Sequence, residues 1–179
     1  MVLGVGAGWH VAEMANYGIA FKDRWRYVRE HILAMREIWT KDIAEFHGEF
    51  VSFDPLQSWP KPVQPGGPPV LIGGGLDVKI LAQRIVEYGD GWIPLEGKLV
   101  DLEGTLQAIR EEAGRAGRRI DPLNLTIGLG TYGPDTVTAG RIEEVRAMGF
   151  GRVTFCLSGG RDQMLAQMEG YAKLVGPLR

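Results

Sequence analysis

Bare main chain follows two apolar segments of this sequence, and its amides are well placed to bind a ligand. The segment at residues 2–5 runs into a short loop before any helical pattern begins. The loop residues are Gly6, Ala7, Gly8, Trp9 and His10. Because glycine lacks a Cβ, a ligand can approach N–H groups that a side chain would block. We therefore expect this loop to contact a ligand and, if the ligand is a coenzyme, to bind it.

The second loop follows the apolar segment at residues 70–72 and consists of glycine alone. Its members are Gly73, Gly74 and Gly75, and a predicted helix begins shortly after them. Successive N–H groups at the start of a helix attract anions, because the helix dipole adds to the donors. The loop is thus a candidate phosphate site. A tight turn that needs positive φ is the alternative interpretation.

Two side chains of the first loop have chemistry of their own. Trp9 offers a flat apolar surface that could stack on a ring or exclude water, and it could equally close the mouth of a fold. His10 could donate a hydrogen bond or move a proton near neutral pH. An exposed histidine without a role is the alternative. We take both as candidate catalytic residues, with Trp9 as a wall beside a ring or substrate.

Alternating strand-like and helix-like segments must position these loops. Apolar residues recur every three or four positions in five stretches, which predicts helices at residues 22–40, 78–87, 99–116, 136–148 and 161–174. The apolar segments between them are predicted strands, and residues 46–53 alternate like a short hairpin. Asp77 and Asp135 are candidate caps of the helices that follow them.

Five strand–helix units in a row predict an α/β fold with parallel strands and right-handed crossovers. Two architectures fit this order: part of a TIM (β/α)8 barrel, or an open flavodoxin-like sheet that is complete as written. Five units cannot close an eight-stranded barrel, so the barrel would be partial. No shift in composition marks a boundary, so residues 1–179 are predicted to form a single domain.

In a TIM barrel, ligands bind at the carboxyl ends of the strands, and this rule sorts the candidates. Both glycine loops follow strands. Ser158-Gly159-Gly160 follows the last strand and is a rival phosphate site, while Tyr132 follows an earlier strand and could pack against substrate or ring. Asp90 instead precedes its strand, which predicts a structural turn.

Composition argues against several classes of protein. A formal net charge of -2 and the absence of a basic run give no field for nucleic acid. No apolar stretch approaches the ~20 residues of a membrane span, and no signal-peptide pattern is present, so a cytoplasmic protein is expected. The single Cys156 is predicted to be a buried small hydrophobe. No spacing suits a metal ion, and the glycines at residues 4–8 do not match the NAD fingerprint.

Several short blocks resemble the luciferase-like monooxygenase superfamily in their order and spacing. They cover residues 3–94 and comprise residues 4–9 with Glu13, Tyr17-Gly18 with Phe21 and Arg24, residues 38–40 and 46–49, residues 60–64, residues 69–74, and residues 89–92. The rest of the chain resembles the superfamily only in its alternation of strands and helices. Within the superfamily, these motifs are most similar to the branch that uses the deazaflavin coenzyme F-420.

This resemblance implies a TIM barrel whose fourth strand is the first strand here, so that the chain is the C-terminal portion and three units are absent. It implies an oxidoreductase that transfers hydride with coenzyme F-420, or activates oxygen with FMN, on an unknown small organic substrate. It places the coenzyme phosphate at the triple-glycine loop.

A non-catalytic role is the competing hypothesis: a degenerate partial barrel that binds coenzyme or oligomerises. A five-unit open barrel would leave two strand edges unpaired and one side of its interior exposed. We therefore expect either a homo-oligomer or a missing N-terminal segment as the partner, besides the small-molecule substrate.

Overall fold

The computed structural model describes residues 1–74, 77–97 and 101–176, and it divides into two compact units, residues 1–70 and 71–179. Both helices and strands are present, and the strand pairs of the second unit are parallel. The α/β class and the parallel strands of the sequence prediction are therefore confirmed, whereas a five-unit partial barrel remains a prediction.

The first unit contains a short strand, two helices and a hairpin. In chain order the elements are β1 (Leu3–Val5), α1 (Val11–Asn16), a 3-10 turn (Phe21–Asp23), α2 (Arg24–Thr40), β2 (Ala44–His47) and β3 (Ser52–Leu56). The unit ends where β4 (Val70–Ile72) begins, and Leu3 N donates to Pro69 O at 2.8 Å, which sets β1 beside that point. The predicted long helix and hairpin are both present.

One carboxylate of α2 holds the tip of the hairpin. Glu30 accepts main-chain N–H groups from Glu49, Phe50 and Val51 at 3.1, 2.7 and 3.2 Å. Partial burial raises the pKa of Glu30, but these hydrogen bonds and the nearby Arg26 lower it more, so the pKa lies below its usual value. At least one charged side chain of α2, Glu30, is therefore engaged by the protein's own backbone.

The second unit alternates strands and helices after β4. Its elements are α3 (Val78–Tyr88), β5 (Gly91–Trp92), α4 (Leu102–Arg115), β6 (Thr126–Leu129), α5 (Ala139–Met148), β7 (Arg152–Phe155) and α6 (Arg161–Val175), with 3-10 turns at Pro122–Asn124 and Pro134–Thr136. The predicted start of α4 at residue 99 lies outside the described residues.

Parallel pairing runs through these strands in chain order. In the second unit, β4 pairs with β5 through Leu71↔Gly91 and Ile72↔Trp92. Parallel bridges, Trp92↔Leu125 and Leu95↔Gly128, join β5 to the region of β6. Strand β6 then pairs with β7 over four residues in register, starting at Thr126↔Arg152. Each strand thus lies next to its successor, as in a βα-repeat fold.

The core of the second unit lies between these strands and the helices that connect them. Every residue of β6 is buried, and Trp92 of β5 is fully buried with its ring 5.9 Å from that of Phe150. The helix α3 buries Leu81, Ala82 and Ile85, and α4 buries Leu106, Ile109 and Ala113. Burial of this apolar surface is the main driving force for the unit.

Two arginines hold the carboxyl ends of neighbouring helices. Arg118, just after α4, donates to Val86 O and, at 2.9 Å, to Gly89 O at the end of α3. Arg110 on α4 donates to Met148 O at the end of α5, at 2.9 Å. A cation at this end of a helix satisfies orphan carbonyls and complements the helix dipole.

The cap of α5 differs from the sequence prediction. Asp135 lies in the 3-10 turn, and the helix begins after Thr138, whose Oγ1 accepts from Arg141 N at 3.1 Å. Asp135 and Thr138 can both cap a helix and lie three positions apart. Pro134 begins the 3-10 turn that includes Asp135, so Thr138 is left as the cap of α5.

Among residues 1–74, 77–97 and 101–176, we find no helix with the length and hydrophobicity that a bilayer crossing requires.

Candidate functional site

The loop after β1 exposes the aromatic side chain that the sequence singled out. Trp9 is 83% exposed, whereas Ala7 is buried. Gly8 has φ of +72°, a left-handed conformation that favours glycine, and no atom lies within 4 Å of where a Cβ on Gly6 would be. Gly6 thus leaves its neighbourhood open to an approaching molecule, and the binding role of this loop stays a prediction.

His10 caps α1, a helix that the sequence analysis missed. Its Nδ1 accepts the N–H of Glu13 at 3.2 Å, which makes His10 the N-cap residue. The ring also meets Trp9 edge-on, with the ring centres 5.4 Å apart and the planes at 84°. The two candidate residues therefore touch each other, and one nitrogen of the histidine already has a partner.

The loop after β4 is fixed by a tryptophan of the next strand. Trp92 Nε1 donates to Gly74 O at 2.8 Å, and Gly74 has φ of +121°. The turn interpretation is confirmed for Gly74, which has positive φ. The phosphate site stays a prediction, and Gly73 and Gly74 present bare backbone at a strand end. Gly75, the third predicted binding residue, lies outside the described residues.

A carboxylate occupies the start of the helix that follows this loop. Asp77 Oδ1 accepts the N–H of Ile80 at 3.0 Å, so the predicted cap of α3 is present. The cap satisfies one of the donors that an anion would use and adds a negative charge at that end. An anionic ligand at this loop must therefore bind beside a like charge, unless Lys79, which is exposed in the first turn, offsets it.

The loop after β7 is organised by two glutamines of the helix that follows. Gln167 accepts from Ser158 N at 3.1 Å and donates to Ser158 O at 2.8 Å. Gln163 Oε1 accepts from Gly160 N at 2.8 Å. Gly159 has φ of +96°, and a Cβ there would lie 2.3 Å from Gln163 Oε1. The loop is thus fixed by neutral amides, with Arg161 as the first residue of α6.

An ion-pair cluster links the segment after β5 to the first turn of α5. Arg141 donates from Nε to Glu96 Oε1 at 2.8 Å and pairs with Glu144 at 2.7 Å. Burial lowers the pKa of the Arg141 guanidinium, but both carboxylates raise it more, so the net shift is upward. Sequence reasoning missed this pair, because its members lie 45 positions apart and no motif links them.

Tyr132 and Cys156 lie on loops that leave β6 and β7. Tyr132 is 69% exposed, in keeping with a residue that faces a ligand or solvent. Cys156 is half-buried, less than predicted, and its Sγ lies 3.6 Å from Thr131 Oγ1. Beneath them Tyr171 is buried, and burial, Cys156 and Asp135 raise the pKa of its hydroxyl.

The motif at residues 89–92 is structural, as its place before a strand predicted. Asp90 pairs with Arg118 at 3.6 Å. A Cβ on Gly91 would lie 1.9 Å from Asn124 O, so only glycine allows the two main chains to approach this closely. These contacts secure the start of β5.

No group of three or more His, Cys, Asp or Glu side chains in the described ranges is arranged to hold a metal ion.

Comparison with known proteins gives a family match over nearly the whole chain. A family model described as luciferase-like monooxygenase matches residues 1–172. An uncharacterized protein of Mycobacterium tuberculosis is 38% identical over 116 residues, which are 65% of this chain and 40% of that protein. An F-420-dependent glucose-6-phosphate dehydrogenase of Amycolatopsis mediterranei is 33% identical over 132 residues, 71% of this chain and 38% of that enzyme. The chain thus spans about two fifths of the length of these curated relatives.

Solved structures share the fold at low sequence identity. The monooxygenase RslO1 from Streptomyces bottropensis has a TM-score of 0.79 at 15% identity, over 97% of this chain and 67% of that one. An F-420-dependent secondary alcohol dehydrogenase, solved with an F-420–acetone adduct, has a TM-score of 0.57 at 17% identity, over 97% and 61% of the two chains.

Proposed function

Since this chain belongs to the luciferase-like monooxygenase family, we propose that it works as an oxidoreductase with a deazaflavin or flavin coenzyme. The family match over residues 1–172 carries this proposal. Relatives named for F-420-dependent dehydrogenation favour coenzyme F-420 over FMN. The substrate is a small organic molecule, and glucose 6-phosphate is the first to test, because it is the substrate in the names of several relatives.

In such an enzyme the coenzyme would supply the redox chemistry, by accepting hydride as a deazaflavin or, after reduction by an external electron donor, by activating oxygen as reduced FMN. The residues of this chain bind and orient it. Gly6 and Gly8 provide exposed backbone that a flat ring can approach, the buried Ala7 supports the loop between them, and Trp9 provides an exposed apolar surface for the ring.

We assign the anionic tail of the coenzyme to the loop after β4. The described residues fit this assignment in one respect and oppose it in another. Gly73 and Gly74 present backbone without side chains at the carboxyl end of a parallel strand, where ligands of βα-repeat folds bind. The Asp77 carboxylate at the start of α3 disfavours an anion. The loop after β7 is the rival site, since neutral amides fix it.

Coenzyme titration tests this function directly. Purified chain is titrated with F-420, with FMN and, as a negative control, with NAD, while tryptophan fluorescence and coenzyme absorbance are recorded. We expect saturable binding of F-420 and loss of its absorbance when a substrate is oxidised. A Trp9→Phe variant should bind with lower affinity, and Trp59→Phe, an exposed tryptophan outside the glycine loops, serves as its matched control. The proposal would be refuted if neither F-420 nor FMN showed saturable binding.

The competing non-catalytic function draws support from the surface of α6. Leu165, Met168, Leu174 and Val175 on this helix are between 40% and 53% exposed. Spacings of three and seven place Leu165, Met168 and Val175 on one side of the helix, and apolar side chains exposed on one side favour association. Sedimentation at several concentrations separates the cases: a coenzyme-binding oligomer without turnover of any substrate supports the non-catalytic role, and reduction of bound F-420 contradicts it.

A further inference from the structure

His10 has a defined tautomer, because one ring nitrogen accepts a hydrogen bond from the main chain. A backbone N–H can only donate, and Glu13 N lies 3.2 Å from His10 Nδ1. Nδ1 must therefore present its lone pair, and in a neutral imidazole the proton then resides on Nε2. The nitrogen that remains for a ligand or solvent is a donor. His10 therefore cannot take up a proton at Nδ1 while the cap is intact.

His31 has the opposite arrangement and gives an internal reference. Its Nδ1 lies 2.9 Å from Tyr27 O, and a carbonyl oxygen can only accept. Nδ1 of His31 must therefore carry a proton. One chain thus contains two histidines whose local backbone contacts demand different tautomers, and protonation removes an acceptor in one case and leaves the contact intact in the other.

We propose that His10 is a proton-sensitive latch: the neutral ring caps α1, and the imidazolium releases the first turn of that helix. Protonation converts Nδ1 from acceptor to donor, so the Glu13 N–H loses its partner. It also places a positive charge at the start of a helix, the end that the helix dipole disfavours for cations.

The charged groups around α1 can tune this latch and do not replace it. Glu13 lies on the helix itself, and Lys22 and Asp23 belong to the 3-10 turn that packs against α1. Asp23 is engaged by Arg26 at 3.1 Å. The helix has six residues and buries none of them, so its cap is a large share of what holds it. The contacts of the latch lie within residues 9–26 and do not involve the coenzyme.

Nitrogen-15 NMR of the full chain tests the latch. At pH 8, long-range imidazole spectra should show His10 with a proton on Nε2 and His31 with a proton on Nδ1. Lowering the pH to 5 should shift the Glu13 amide with the titration of His10. Its protection factor, which corrects the exchange rate for the intrinsic effect of pH, should fall about fivefold, the size of a typical N-cap effect. The Ile80 amide, capped by the Asp77 carboxylate, should not move in this range.

Two variants keep the outcome interpretable. His10→Asn retains an oxygen that can cap, so the Glu13 amide should stay protected at both pH values. His10→Ala has no cap and should show fast exchange at both, with the rest of the spectrum unchanged. The proposal is overturned if His10 carries its proton on Nδ1 at pH 8, or if the Glu13 amide does not respond while His10 titrates.

Discussion

The loops after β4 and β7 share a sequence pattern, since each places glycines between a strand and the start of a helix. They differ in what occupies the main-chain donors. At α3 a carboxylate, Asp77, caps the helix, whereas at the loop before α6 the amides of Gln163 and Gln167 accept the N–H groups. Glycine spacing therefore locates a possible anion site, and the charge of the local acceptor determines how well an anion is tolerated there.

The largest expected effect on affinity comes from adding a methyl group to the loop after β4, to which we assign the coenzyme tail. Gly74→Ala should lower F-420 affinity more than about tenfold, because it strains a residue with φ of +121° and obstructs donors to a charged group. Gly159→Ala should leave affinity within about twofold. Isothermal titration calorimetry with F-420 measures both, and Gly114→Ala, with open space around its Cβ position, is the neutral control. The reverse order of effects would move the tail to the loop after β7.

The difference between a carboxylate and an amide as acceptor can also be tested in the first unit. There, three main-chain N–H groups donate to the carboxylate of Glu30. Glu30→Gln should cost about 2 kcal/mol of unfolding free energy at pH 7, because charge-assisted bonds to Glu49, Phe50 and Val51 become neutral ones. Urea unfolding measures the loss, with Glu45→Gln on the exposed side of β2 as the control.

The pH dependence of that contact has a defined sign. The pKa of Glu30 lies below its ordinary value of 4.5, so its stabilising contribution is complete above that pH and is lost as pH falls through the lowered pKa. Glu30→Gln should remove this part of the acid sensitivity. An unchanged acid profile in the variant would mean that other carboxylates dominate.

A smaller effect should follow from removing charge while keeping the cap. Asp77→Asn retains an oxygen for Ile80 N and removes a negative charge, so F-420 affinity should rise about threefold to fivefold at low salt, the effect of about one exposed charge contact. Asp162→Asn, in the first turn of α6, is the matched control. An increase in the control variant alone would place the anionic tail beside α6.

The smallest effect concerns stability of the loop after β7. Gln167→Ala removes one donor and one acceptor from Ser158 and should cost about 0.5 kcal/mol, because both hydrogen bonds are exposed. Thermal unfolding detects this change. Gln107→Ala, which loses a hydrogen bond to Glu111 on the surface of α4, should be nearly neutral. Equal losses in the two variants would mean that the glutamine does not hold the loop.

Periodicity was sufficient to predict the larger elements, because helices and strands follow from local patterns. The α2 helix, the hairpin and the alternation of strands and helices in the second unit are all present. The missing element was α1, whose six residues are too few for a helical period and whose cap is a histidine. The cap of α5 was assigned three residues too early, because the sequence offers Asp135 and Thr138 and only the 3-10 turn decides between them.

The candidate site was predictable only in its backbone. The sequence indicated positive φ as one interpretation of the triple-glycine loop, and Gly74 has it. Gly8 and Gly159 also have positive φ, which was not predicted. The side chains that contact such loops and helix ends are often far away in the sequence. Glu96 meets Arg141 across 45 positions, and Glu30 meets the hairpin across 19 to 21. No local sequence pattern encodes such long-range contacts. The side chain that accepts the main-chain N–H groups at each loop is therefore known only from the three-dimensional structure.

The arginines of the α4 region have a consequence for how the second unit opens. Arg110 reaches the end of α5 and Arg118 the end of α3, so one segment secures a neighbour on either side. Fluctuations that detach α4 would free the last carbonyls of both flanking helices at once. Opening of the three helices should thus be cooperative, and native-state hydrogen exchange should find them in a single foldon with one common free energy.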